Sequence, residues 1–259
     1  MRRLCVEWRA SILALVPAAI FFVGFGNSQP PQLLPVTAKI QIARDGAVKQ
    51  AAQHGGGADL SNVVVWLTPL GSRNPAPAIS DAARVAPVLT QHNKTFEPHV
   101  LVVEEGTVVK FPNKDPFFHN IFSLFEGKRF DLGLYEAGTT RSVRFDRPGV
   151  SYLFCNIHAE MSSVVVVVET PYFAISDRAG SISIPDVPNG RYQLRVWYER
   201  SRPEDLKNLD LPVTISASER DLRTIKVIEN PNFTVAHKNK YGQDYVPPPN
   251  PSYTNPSPR

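Results

Sequence analysis

An all-β fold built from two sandwich-like units is predicted by three observations. Short runs of β-branched and aromatic residues recur along the chain, each bounded by Gly, Pro, Asn or Asp. They fall at intervals of about 8–12 residues, the spacing of sandwich strands. Outside an apolar N-terminal run, no segment of convincing length carries a helical period. At 259 residues the chain is long enough for one large or two modest domains.

The elements follow in order. "VTAKIQI" places Val36, Ala38, Ile40 and Ile42 on one face, and "NVVVWL" reads as a short buried strand. The intervening "RDGAVKQAAQHGGGADLS" is turn and loop, punctuated by Gly55, Gly56 and Gly57. Residues 36–70 therefore form a first β block, and 71–88, rich in Pro and Ala, form a linker. Strands resume in "HVLVVEEGTVVKFPN", "TTRSVRFDRPGVSYLFC" and "SVVVVVET", which makes 89–170 one unit. Residues 171–229 hold "SDRAGSISIPDVPNGRYQLRVWYE", "LPVTIS" and "LRTIKVIE", with room for one turn of helix over 204–209. Residues 230–259 are polar and proline-rich and read as a disordered or extended tail.

The N-terminus has arginines followed by 16 uncharged, mostly apolar residues, Ala10 to Phe25, and then small residues at Gly26 and Ser28. Residues 1–28 read as a secretory signal peptide, with an uncleaved N-terminal anchor as the alternative. Either sends the remainder out of the cytoplasm, so a periplasmic or extracytoplasmic location is expected. Membrane association is expected only through such an anchor. The formal net charge of +4 falls to +2 without this segment, because Arg2, Arg3 and Arg9 less Glu7 account for +2. No basic stripe with interleaved aromatics accompanies that small charge, which excludes a nucleic-acid partner.

There are two cysteines, and Cys155 stands alone once residues 1–28 are set aside. A lone thiol cannot staple an exported protein, so it is incidental, reactive or a metal ligand. "FCNIHAEM" decides between these. Cys155, His158 and Met161 share seven residues beside a Val-rich strand, and His119 lies 36 residues upstream in "DPFFHN". A thiolate, two imidazoles and a weak thioether form the ligand set of a type 1 copper site. Three ligands on one tight inter-strand loop converge on one ion, and the fourth comes from a distant strand end. Taken singly, Met161 would be core filler and Cys155 a small buried hydrophobe. His54, His92, His99 and His237 read as surface or satisfied polar residues.

Residues from about Leu89 to Glu169 resemble a cupredoxin, the Greek-key β-sandwich of blue copper proteins. "CNIHAEM" has the short spacing of amicyanin-like loops, and "FPNKDPFFHN" is similar to the region of the first histidine ligand. The resemblance implies one copper ion on His119, Cys155, His158 and Met161. It also implies that Asn120 hydrogen-bonds the ligand loop, and that an apolar patch of Phe117, Phe118, Ile157 and Ala159 docks a redox protein partner. Ala159 stands where many such loops carry proline, and Glu160 is an alternative axial ligand. "ISDRAGSISIPDVPNGRYQLRVW" resembles a carboxypeptidase-regulatory-like, transthyretin-like β-domain, with Tyr192, Leu194 and Val196 on one face. "VTAKIQIARDGA…LSNVVVWL" resembles the first half of that domain. Two arrangements fit: one such sandwich interrupted by the cupredoxin-like unit, or a β extension followed by a separate small domain.

The functional expectation is an exported carrier of single electrons, not itself an enzyme. Its alternative is a copper-delivery or structural module, although Met1 and Met161 as the only methionines speak against a copper chaperone. A nucleophilic Cys155 with His158 as base would leave Met161 without a purpose.

Overall fold

A computed structural model describes residues 34–44, 59–71, 86–124, 126–235 and 237–245. The N-terminal segment 1–28, most of the linker, His54 and the end of the tail lie outside the described residues.

Among the described residues the chain is almost entirely β, with one short helix, α1 (Pro203–Lys207). Its strands form two sandwiches. The middle one begins with a hairpin, β3 (Thr90–His92) and β4 (Thr95–Glu97). It continues with β5 (Val100–Glu104), β6 (Thr107–Pro112), β7 (His119–Ser123), β8 (Phe130–Tyr135), β9 (Thr140–Phe145), β10 (Gly149–Phe154) and β11 (Ser162–Val168). One sheet runs β5-β11-β10-β7-β8, and β6 pairs with β9 in the other layer. Between the layers lie Val109, Phe111, Ile121, Phe145, Leu153, Val165 and Val167, all buried.

The outer sandwich is made from both ends of the described chain. β1 (Val36–Arg44) lies between β13 (Ser181–Ile184) and β16 (Asp221–Glu229). β2 (Val64–Pro69) lies between β12 (Phe173–Ile175) and β14 (Gly190–Trp197), and β15 (Leu211–Ile215) closes that edge. Strands before the middle unit thus pair with strands after it. The alternation read from the sequence orients them: Val36, Ala38 and Ile40 meet Tyr192, Leu194 and Val196 in one core, with Ile42 at its margin.

β11 explains its own composition. Val165 and Val167 face the middle core, whereas Val164, Val166 and Val168 join Val64 and Trp197 in a separate buried cluster. A strand covered on both faces needs apolar residues at consecutive positions, hence five valines in a row. The same strand closes the hairpin from β10 that carries the loop between Phe154 and Ser162.

No helix among the described residues is long and apolar enough to cross a membrane.

Candidate metal centre

The β10–β11 hairpin fixes the loop at both ends. Phe154 pairs with Ser162, and inside the loop the Cys155 N–H donates to the Met161 carbonyl at 3.2 Å. The Met161 N–H donates to the His158 carbonyl, also at 3.2 Å. These bonds fold seven residues into a turn with Cys155 and Met161 pointing into the core and His158 at its rim. His119 opens β7, paired opposite Tyr135, and enters from the neighbouring strand.

Three ligand atoms converge. One nitrogen of His119, one of His158 and the Cys155 sulfur all lie within 4.8 Å of one another. Cys155 Sγ is 3.8 Å from His119 Nδ1 and 3.6 Å from His158 Nδ1. An ion about 2.3 Å from sulfur and about 2.0 Å from nitrogen separates the two by about 3.5 Å at tetrahedral and about 3.7 Å at trigonal angles. The observed spacings fit one such ion. Met161 is fully buried in the same apolar cluster as Cys155. Glu160 is exposed, and its carboxylate is not among the converging atoms.

The protonation pattern suits ligation. His119 is fully buried, and its Nε2 lies 2.7 Å from Asp115 Oδ2. Burial of Asp115 works to raise its pKa. Hydrogen bonds from the Lys94 amide, from His119 and from the Asn93 amide outweigh that and hold the carboxyl below its ordinary value. An ionised carboxylate only accepts, so Nε2 carries a proton, and Nδ1 is the ring nitrogen that faces Cys155. Desolvation, followed by the nearby His119, lowers the pKa of His158 and favours its neutral ring. Burial pushes the Cys155 thiol up, against the backbone N–H groups of Asn120, Ile157 and His158 directed at its sulfur. A metal taking this site displaces the thiol proton.

Asn120 faces two ways. Its side-chain amide donates to Asp131 Oδ1 at 2.8 Å, away from the ligand loop, while its backbone N–H serves the Cys155 sulfur. Its own Oδ1 is buried without a hydrogen-bond partner among the described residues. The apolar rim is present: Phe118 is 55% exposed and Ile157 45%, and Ala159 is also exposed. The Phe117 ring lies edge-on to His119, with centroids 5.1 Å apart, and 5.8 Å from His158.

Two groups escaped sequence reasoning. Asp115 stands four residues before His119, and a carboxylate so close to a candidate histidine ligand was an available signal. His237 is a satisfied histidine, as expected, but its partners were not foreseen: it lies 2.9 Å from the Ala159 carbonyl and stacks on Phe154 with centroids 3.9 Å apart. The tail, expected to be disordered or extended, returns to the ligand loop over residues 237–245. The other described histidines fit the plain reading. His99 is bonded to Glu199, and His92 is a half-exposed side chain 3.8 Å from Asp115.

The chain matches no protein-family profile and no curated protein. Solved structures similar to part of it include a novel purple cupredoxin from Nitrosopumilus maritimus, 23% identical over 32% of this chain and 99% of that one, with a TM-score of 0.29. A point mutant of amicyanin in its reduced Cu(I) form is 22% identical over 34% of this chain and 87% of its own, with a TM-score of 0.31. A Cu-containing nitrite reductase from Thermus scotoductus is 21% identical over 50% of this chain and 28% of that one, with a TM-score of 0.32. At these levels of similarity the chemistry of the chain rests on its own residues.

Proposed function

We propose that His119, Cys155, His158 and Met161 hold one copper ion and that the protein is an extracytoplasmic carrier of single electrons. The observation that carries this reading is the convergence of one thiol sulfur and two imidazole nitrogens within 4.8 Å. A bound copper supplies the Cu(I)/Cu(II) couple, for which mixed sulfur and nitrogen ligands suit both oxidation states. The chain does the rest. Asp115 orients the His119 ring, three backbone N–H groups face the sulfur, and the complete burial of His119, Cys155 and Met161 keeps water from the inner side of the site. Met161, buried in the same cluster as Cys155, would offer its thioether as a weak fourth ligand. Half-buried His158 lies at the rim beside Phe117, Phe118, Ile157 and Ala159, where a redox protein docks on a small, weakly charged surface. Export follows from the apolar N-terminal run. The outer sandwich is a transthyretin-like packing unit with no catalytic part.

One observation favours a second reading. Cys155, His119 and Asp115 follow one another at 3.8 Å and 2.7 Å, the order of a nucleophile, a base and an orienting carboxylate. Yet Cys155 is fully buried and burial pushes its thiol up, the reverse of an activated nucleophile. The metal reading accounts for His158 and Met161 as well.

The test is Cu(II) titration of the metal-free protein and of Cys155→Ser, read by visible absorption. One equivalent should produce an intense thiolate-to-copper band that bleaches with ascorbate and is missing in the variant. A colourless protein that still binds one metal transfers the site to a structural or delivery role. A protein that binds no metal but is alkylated at Cys155 returns the nucleophile.

A further inference from the structure

The segment 237–245 is hydrogen-bonded to the ligand loop at three points along its length. His237 Nε2 lies 2.9 Å from the Ala159 carbonyl, and since a carbonyl only accepts, the ring donates. The Tyr245 hydroxyl donates to the carbonyl of Cys155 at 2.6 Å. The Lys240 N–H donates to Asn156 Oδ1 at 3.0 Å. The Lys240 ammonium also pairs with Asp131 Oδ2 at 2.8 Å, and Asp131 Oδ1 accepts from the Asn120 side chain. Asn120 follows His119, so one lysine ties both ligand-bearing segments together. His237 completes the clasp by stacking on Phe154 and standing edge-on to Tyr245, with centroids 5.3 Å apart. Within the loop itself, by contrast, two backbone bonds of 3.2 Å close the turn. Ala159 gives its backbone none of the stiffness a proline would.

We infer that residues 237–245 are a strap that positions the metal-binding loop, with His237 and Tyr245 as positioning residues acting through the carbonyls of Ala159 and Cys155. This rests on the reading of the loop as a metal site. The strap holds the loop in ligating geometry before an ion arrives. It also keeps that geometry common to both oxidation states, the condition for electron transfer with little rearrangement. Its bonds reach the residue that carries the thiol and the residue next to His158, so loosening them moves sulfur and imidazole relative to one another.

The test uses the full chain in four forms: wild type, Tyr245→Phe with His237→Ala, Tyr245→Phe with His237→Gln, and Tyr241→Ala. Tyr245→Phe keeps the ring and removes one hydroxyl. Gln at 237 retains an N–H that can reach the Ala159 carbonyl, and Tyr241 is 69% exposed in the same segment. Hydrogen exchange of the metal-free proteins reads the strap without any metal. Loop amides over 156–161 should exchange about tenfold faster or more in the first double variant, as loss of two ordinary hydrogen bonds implies. The Gln form should fall between it and wild type, and Tyr241→Ala, which removes only the ring beside the Lys240 ammonium and no bond to the loop, should stay close to wild type. After Cu(II) loading, the first double variant should show a shifted reduction potential and an altered visible and EPR signature. Unchanged loop exchange overturns the strap, whatever the metal does. Faster exchange with an unaltered copper signature also overturns the positioning role and leaves a purely structural contact. If wild type takes up no Cu(II), the metal reading itself fails, and the exchange data then show whether a clasp exists without a centre to position.

Discussion

Replacing Asp115 by alanine removes the group that orients His119 and should cost the site more than it costs the fold. The Asp115 carboxylate accepts from His119 Nε2 at 2.7 Å, from the Asn93 amide at 2.6 Å and from the Lys94 amide at 2.9 Å. His119 is fully buried, so its Nε2–H is left unpaired at a cost of about 1–3 kcal/mol. Asn93 and Lys94 are exposed residues whose amides regain water, which adds only about 1 kcal/mol. The metal-free protein should therefore lose about 2–4 kcal/mol, measured by urea denaturation. Metal affinity should fall about 10–100-fold, the usual effect of removing a partner that orients a histidine ligand. Competition for Cu(II) against a chromophoric chelator reads this at fixed pH. Asp115→Asn keeps an oxygen able to accept from Nε2–H and should bind metal close to wild type, while losing stability at the loop amides. If Asp115→Ala binds Cu(II) as tightly as wild type despite its lower stability, Asp115 is a turn residue only and the orientation argument is wrong.

Two further outcomes are expected away from the centre. His99 Nε2 lies 2.6 Å from Glu199, and that hydrogen bond raises the His99 pKa against the opposing effect of burial. A raised folded pKa means the contribution is complete below the unfolded value of about 6.5 and disappears as pH rises through the folded pKa. The urea midpoint of wild type should therefore drop from mildly acidic to mildly alkaline pH more than that of His99→Gln, and equal pH responses would remove His99 as the cause. Gly180 has φ +75° and its carbonyl accepts from the Ile40 N–H at 2.7 Å, where a Cβ would meet the Ile40 carbonyl and the Leu60 side chain. Gly180→Ala should cost about 1–3 kcal/mol in denaturant unfolding, and a cost near zero would show that β1 shifts freely there.

Much of the centre was legible because its spacing is local. Cys155, His158 and Met161 sit on one hairpin loop, so the separation that marks them in sequence also brings them together in space. The β-branched runs announced the strands, the Val-rich β11 among them, and the structure added that β11 is covered on both faces. His119 was singled out only in combination with Cys155, His158 and Met161, as a histidine at a strand end after "GTVVKFPN". Asp115 was less legible, since a carboxylate four residues from a histidine has many solvated explanations and only the pairing at 2.7 Å selects one. Asn120 was read as hydrogen-bonding the ligand loop, and the sequence did not distinguish its side chain from its backbone. In the fold its side chain turns to Asp131 and its backbone reaches the sulfur, a choice made by rotamer and register.

The amino-acid order by itself determined the strand-rich architecture and a loop able to present sulfur and nitrogen together, because alternation and short-range spacing are properties of neighbours in the chain. Tertiary structure decided the rest. It paired β1 and β2 with strands beyond the middle unit, and it brought His237 and Tyr245 to carbonyls 78 and 90 residues away. Such contacts depend on which surfaces meet once both sandwiches have closed, and a polar, proline-rich tail bears no local mark of the loop it will bind.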